Sequence, residues 1–104
     1  MPHSLALIET MAQQFGVLSE PARLKILASL CGGEMCVSDL LLSTGLSQTN
    51  ASRHLGLMYQ AGVLFKRREG NHVFYKVANM LYVDLCFLVM KQSQENPLSP
   101  AQAF

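Results

Sequence analysis

Between Ser47 and His54 the chain crowds seven side chains able to make polar contacts: Ser47, Gln48, Thr49, Asn50, Ser52, Arg53 and His54. These are types that read DNA. Amides pair with the edge of adenine, guanidinium with guanine, and hydroxyls suit phosphate. Further along, Lys66, Arg67 and Arg68 form an unbroken run of cations leading into Glu69, Gly70, Asn71 and His72. Each group also has a plainer explanation. A polar helix start can be a solvated face, and charge on a hairpin protects an exposed edge from pairing with another chain. Successive residues of a strand point to opposite faces, so the three cations cannot all meet the same phosphates. One or two of them, with His72 at the turn, are expected to reach the backbone or the minor groove.

Cys31, Cys36 and Cys86 offer a second chemistry. Three converging thiolates would suit a soft metal or a trivalent metalloid such as arsenite. A close pair could instead form a disulfide in response to oxidants or reactive sulfur. On apolar helix faces the same residues would simply be packing. Cys36 falls beside a helix start, where a thiolate is favoured. The spacing alone selects none of these. His3, His54 and His72 are scattered and suggest no shared site. Neither a nucleophile–base pairing nor a phosphate-binding glycine loop is present, and a thiol oxidoreductase would be expected to carry Cys-x-x-Cys, so the chain is not read as an enzyme.

The elements that must position these groups follow from periodicity and caps. Ser4 is expected to cap a first helix carrying Leu5, Ile8, Met11, Ala12 and Phe15 and ending at Gly16. Ser19 is expected to cap a second, with Pro21 in its first turn and Leu24, Leu27 and Leu30 facing inward, Arg23 and Lys25 outside that stripe, and Gly32-Gly33 stopping it. Ser38 and Asp39 open a short third helix that ends at Gly45. Ser47 caps the fourth, with Ala51, Leu55 and Met58 inward and Gly62 ending it in a left-handed conformation. Two alternating segments, from Val63 and from Val73, read as a hairpin. Asn79 caps a last helix running from Met80 to about Gln92, whose apolar residues go nearly all the way round it. Such a helix needs a second apolar surface, and another copy of the chain is expected to supply it.

The 104 residues suit one domain, expected to span 1–95, with a flexible tail at 96–104 carrying Pro97 and Pro100. A net charge of +1 conceals a polarised distribution. Arg53, Lys66, Arg67, Arg68 and Lys76 face a single acid, Glu69, in the stretch that holds the DNA-reading candidates, and acids predominate elsewhere. The amino end lacks the pattern of a signal peptide, and the most apolar run, Met80 to Met90, is shorter than the roughly 20 residues a membrane span needs. An odd number of widely spaced cysteines fits reduced thiols in the cytoplasm. A helix, a tight turn, a polar helix and a basic hairpin, in that order, predict a mainly α fold with a small β-hairpin. This is a winged helix-turn-helix of five helices and a two-stranded wing, docking on duplex DNA.

The stretches Leu18-Ser-Glu-Pro-Ala-Arg-Leu-Lys-Ile-Leu27, Glu34-Met-Cys-Val-Ser-Asp-Leu40, Leu46-Ser-Gln-Thr-Asn-Ala-Ser-Arg-His-Leu55, Ala61-Gly-Val-Leu64 and Arg67-Arg-Glu-Gly70 resemble the ArsR/SmtB family of dimeric bacterial repressors. The resemblance implies a homodimer built from the first and last helices, sitting on an inverted-repeat operator and released by an inducer. Arsenic-sensing members carry Glu-Leu-Cys-Val-Cys-Asp-Leu at the third helix, of which Cys36 matches the first cysteine while Ser38 replaces the second. At the zinc-ligand positions of the last helix this chain has Asn79, Leu81 and Gln92, with only Glu95 retained. Redox- and sulfide-sensing members pair a cysteine on the second helix with one on the last, the helices that here carry Cys31 and Cys86, though not at the matching positions. The expectation is therefore a homodimeric repressor answering to a thiol-directed signal, a reactive sulfur species or oxidant, or a soft metalloid. The alternative is a winged-helix protein-interaction module that does not bind DNA.

Overall fold

Side-chain caps set most of the helix starts in the computed structural model, which describes residues 4–95. The tail expected at 96–104 and His3 lie outside the described residues. Ser4 Oγ accepts from the Leu7 N–H at 3.4 Å and opens α1 (Leu5–Val17). Ser47 Oγ accepts from the Asn50 N–H at 3.2 Å and opens α4 (Gln48–Gln60). Asn79 Oδ1 accepts from the Leu81 N–H at 3.0 Å ahead of α5 (Met80–Glu95). Each cap satisfies an amide that the helix itself leaves without a partner. The second helix departs from expectation. Glu20, not Ser19, is its cap residue, and α2 (Pro21–Leu30) starts on proline, whose missing N–H costs nothing there. The Ser19 hydroxyl turns back and donates to the Gly16 carbonyl at 2.6 Å. A short α3 (Val37–Thr44) begins one residue earlier than Ser38, with Cys36 at its cap.

The sheet has three strands where two were expected. β1 (Met35–Cys36), β2 (Leu64–Glu69) and β3 (His72–Val77) are antiparallel in the order β1-β3-β2. Two residues are too few to show alternation, so β1 was invisible to periodicity. Met35 pairs with Tyr75 and Cys36 with Phe74, while β2 and β3 run in register from Leu64↔Val77 to Glu69↔His72. Gly70 and Asn71 form the tight turn, with Gly70 at φ 60°, where a side chain would strain. His72 is thus the first residue of β3 and not part of the turn.

The core gathers Ile26, Leu27 and Leu30 of α2, Leu40 of α3, Ala51, Leu55 and Met58 of α4, Val63, Leu64 and Tyr75 of the sheet region, and Tyr82 and Val83 of α5. Two expectations for α2 fail. Leu24 is exposed, and Ile26 takes the inward position. Arg23, expected outside, is buried. Its Nε donates to the Val17 carbonyl at 2.8 Å and Nη2 to the Gly16 carbonyl at 3.2 Å. A long stem can lie along apolar surface while the guanidinium closes the carbonyl end of α1, which has no helical partners of its own.

Beyond that anchor α1 buries only Val17, leaving Leu5, Leu7, Ile8 and Phe15 exposed. α5 buries Tyr82 and Val83, leaving Leu81, Phe87, Leu88, Val89 and Met90 exposed. Among the described residues no helix is long and apolar enough to cross a membrane.

Candidate nucleic-acid interface

The helix-turn-helix is built tightly. α3 ends at Gly45, left-handed at φ 72°, and Ser47 caps α4 two residues later. Buried Thr44 braces the turn: its hydroxyl donates to the Leu40 carbonyl at 2.7 Å and accepts from the Leu46 N–H at 3.3 Å. One face of α4 buries Ala51, Leu55 and Met58 against the core. That leaves Gln48, Thr49, Asn50, Ser52 and Arg53 exposed over its first two turns. A rigid helix with a free polar start is what insertion into the major groove requires.

His54 does not belong to that surface. It is 3% exposed, and Arg53 Nη2 donates to its Nε2 at 3.2 Å. An arginine can only donate, so Nε2 accepts and the imidazole proton sits on Nδ1, which has no partner among the described residues. Helical phase explains the correction, since position 54 shares its face with Ala51, Leu55 and Met58. Burial, and then the charges of Arg53 and Arg23 against the opposing Glu20, hold the His54 pKa below its ordinary 6.5. The unfolded chain therefore takes up the proton first as pH falls, and stability present above about pH 6.5 is lost below it, down through the folded pKa. We expect the urea midpoint of the wild type to drop in that range, with a His54 share of at most about 1.4 kcal/mol per pH unit. His54→Gln should flatten the drop. Parallel pH profiles for the two proteins would show that His54 is not its source.

The wing divides its cations. Alternation puts Leu64, Lys66 and Arg68 on one face of β2, and that face packs toward α4: Leu64 is buried and Lys66 Nζ lies 5.2 Å from the Tyr59 ring. Arg68 is exposed and has no carboxylate partner among the described residues. Arg67 is on the opposite face. Its Nε and Nη2 donate to the two oxygens of Glu34 at 2.9 and 2.6 Å, and Nη1 donates to Glu69 at 2.8 Å. The guanidinium carbon sits 4.3 Å from the Phe74 ring centre. Arg67, expected to reach DNA, is half-exposed and already engaged by Glu34 and Glu69. His72 is exposed and edge-on to Phe74 at 6.4 Å. Glu34 was missed in the sequence because nothing local to it announces a partner 33 residues away.

The cysteines separate into a pair and a single. Cys36 lies in β1, in register with Phe74. Cys31, at the end of α2, and Cys86, on α5, both line an apolar cavity of about 500 Å³ with Phe15, Leu24, Leu27 and Val83 among its walls. Burial, and secondarily the neighbouring Cys31, push the Cys86 thiol up. All three thiols are free. Among the described residues no three metal-ligating side chains converge, so one chain does not assemble a three-thiolate site.

A family model described as bacterial regulatory protein, arsR family, matches residues 20–66. The uncharacterized HTH-type transcriptional regulator Rv0081 of Mycobacterium tuberculosis is 40% identical over 73 residues, which cover 69% of this chain and 64% of that regulator. The chain thus matches just under two thirds of that relative's length. The crystal structure of Rv0081 superposes with a TM-score of 0.78 at 33% identity, covering 88% of this chain and 93% of that one. A transcriptional repressor SmtB homolog from Synechocystis is 30% identical over 93 residues, 89% of this chain and 70% of the relative. The solution structure of a homodimeric winged helix-turn-helix DNA-binding domain from Mycobacterium bovis, a possible ArsR-family regulator, superposes with a TM-score of 0.77 at 30% identity, covering 92% of this chain and 89% of that one. These relatives are transcription regulators, not enzymes, and the fold, the turn and the wing agree with them. The chain belongs to the ArsR/SmtB family of winged helix-turn-helix regulators.

Proposed function

We propose that this chain is a homodimeric transcriptional repressor that holds an inverted-repeat operator in duplex DNA and lets it go when Cys31 and Cys86 are modified. The observation that carries the DNA reading is the exposed start of α4, with Gln48, Thr49, Asn50 and Arg53 exposed above a buried underside. Arg68 on the wing supplies an exposed cation with no carboxylate partner among the described residues. The bare apolar lengths of α1 and α5 support assembly of two copies, and the homodimeric M. bovis domain supports it by likeness. Two copies would present two α4 starts to half-sites about one helical turn apart.

The switch is proposed where α5 lies on α2. Peroxide would oxidise the two thiols to a disulfide and be reduced to water, with both thiol protons leaving in that water. The cross-link would fix α5 against α2 and so shift the dimer helices relative to α4. A thousandfold release needs about 4 kcal/mol of differential stabilisation between the bound and released geometries. The starting state of this switch is reduced thiols, which fits a cytoplasmic protein.

The test is an anisotropy titration of reduced protein on duplex DNA, repeated with peroxide, persulfide, arsenite and divalent metals. Cys31→Ser and Cys86→Ser should abolish the response, and Cys36→Ser should retain it. Loss with any of the three would return the metalloid version, assembled across two copies. A triple Cys→Ser protein that still releases DNA with the same inducer would retire the thiol switch. Salt-independent or absent DNA binding by the reduced protein would favour the interaction-module alternative.

A further inference from the structure

We infer that Glu34 is a positioning residue for the DNA-binding wing, acting through Arg67, and that Arg67 is not itself a phosphate contact; the inference rests on the DNA reading above. Cys36, Phe74 and Arg67 form one row across the sheet, since Cys36 pairs with Phe74 and Phe74 with Arg67. Arg67 reaches from β2 over the Phe74 ring and closes on Glu34, one residue ahead of β1. The side chain therefore staples all three strands. β1 is only two residues long and runs straight into the cap of α3, so the staple fixes the angle of the wing against the helix-turn-helix.

All three guanidinium nitrogens donate one N–H each to a carboxylate, and one guanidinium face lies over the Phe74 ring. A forked, two-bond Arg–carboxylate pair is more directional than an ordinary surface ion pair. Hydrogen bonding by Arg67 holds the Glu34 carboxyl below the usual carboxylate range, so the pair stays ionised at neutral pH. Arg67 lies between Glu34 and Glu69, whose carboxylates compete with a phosphate for its N–H groups, and Lys76 on the same sheet face also acts on Glu34. Arg68, on the other face, has no such competitor. The run Lys66-Arg67-Arg68 thus contains one wing support between two cations on the opposite face of β2, of which Lys66 lies against Tyr59 of α4.

The experiment measures duplex affinity against salt for the full reduced chain and for Arg68→Ala, Glu34→Gln and Arg67→Met. Arg68→Ala should flatten the slope of log K against log salt by about one per wing, the loss of one phosphate contact. Glu34→Gln and Arg67→Met should each lower affinity about threefold to tenfold with the slope unchanged, because the bound wing makes the same contacts but must first be ordered. Hydrogen exchange gives a reading without DNA. Amides of Met35, Cys36, Phe74 and Tyr75 should exchange about threefold faster or more in both variants, relative to those of α4. A flatter slope in Arg67→Met would make Arg67 a phosphate contact. Tighter binding by Glu34→Gln would make Glu34 a competitor of DNA. Unchanged exchange in both variants would remove the staple. If the wild type itself fails to bind DNA, the DNA reading falls, and the exchange result still decides whether the staple exists.

Discussion

Leu88→Asp is expected to leave the protein monomeric and to weaken operator binding by about a hundredfold or more, the usual gain from linking two binding modules. Leu88 is 65% exposed on the single chain, so a carboxylate there meets water and the protomer should fold as before. In a dimer that seals α5, the same carboxylate would be buried without a partner, at a cost of several kcal/mol. Leu85 is half-buried within the protomer and makes a poorer probe, because its loss mixes folding with assembly. Leu42→Asp is the matching control. Leu42 is 84% exposed on α3, a helix that packs on α2 and the sheet, and its variant should stay dimeric. Sedimentation and anisotropy on the same samples decide the matter. A Leu88→Asp protein that sediments as a dimer, or keeps wild-type affinity, places the interface elsewhere.

Asn50→Ala and Arg53→Ala are expected to weaken operator binding by roughly 1–3 kcal/mol each and to relax preference at one base pair each. The two side chains project from the first two turns of a helix whose opposite face is buried, so their geometry should survive truncation of either. Arg53 gives one N–H to His54 and retains the rest of its fork for guanine. His54→Gln should leave base preference alone, since position 54 is interior. Competition with operators altered at single base pairs separates these outcomes. Equal losses on every sequence would reduce Asn50 and Arg53 to phosphate contacts.

Local chemistry made much of this legible in advance. Ser4, Ser47 and Asn79 caps, the glycines at 45 and 62, and the alternation of β2 and β3 each act over a few residues, and each appeared where expected. What the sequence concealed depends on partners distant along the chain. Arg23 looked like a surface residue because the carbonyls it closes belong to the preceding helix. His54 looked available because its neighbours are polar, and only helical phase reveals that it shares the face of Leu55 and Met58. The cations of the wing read as one basic run, whereas pleating divides them and Glu34 claims the middle one. β1 was too short to leave any periodic trace. The cysteines show the opposite case: Cys31 and Cys86 are 55 positions apart, and the packing of α5 on α2 brings them to one cavity.

α1 is anchored at one end, by Val17 and by the Arg23 guanidinium on its closing carbonyls, and is mostly exposed along the rest of its length. A helix held this way contributes little to its own protomer until something covers it. Under the proposed assembly, mass action then sets the melting point, which should climb as the protein is concentrated and sink as it is diluted. Copy number in the cell would become a determinant of lifetime: a scarce pool would spend more time as single chains with α1 open to proteases, and an abundant one would shelter itself.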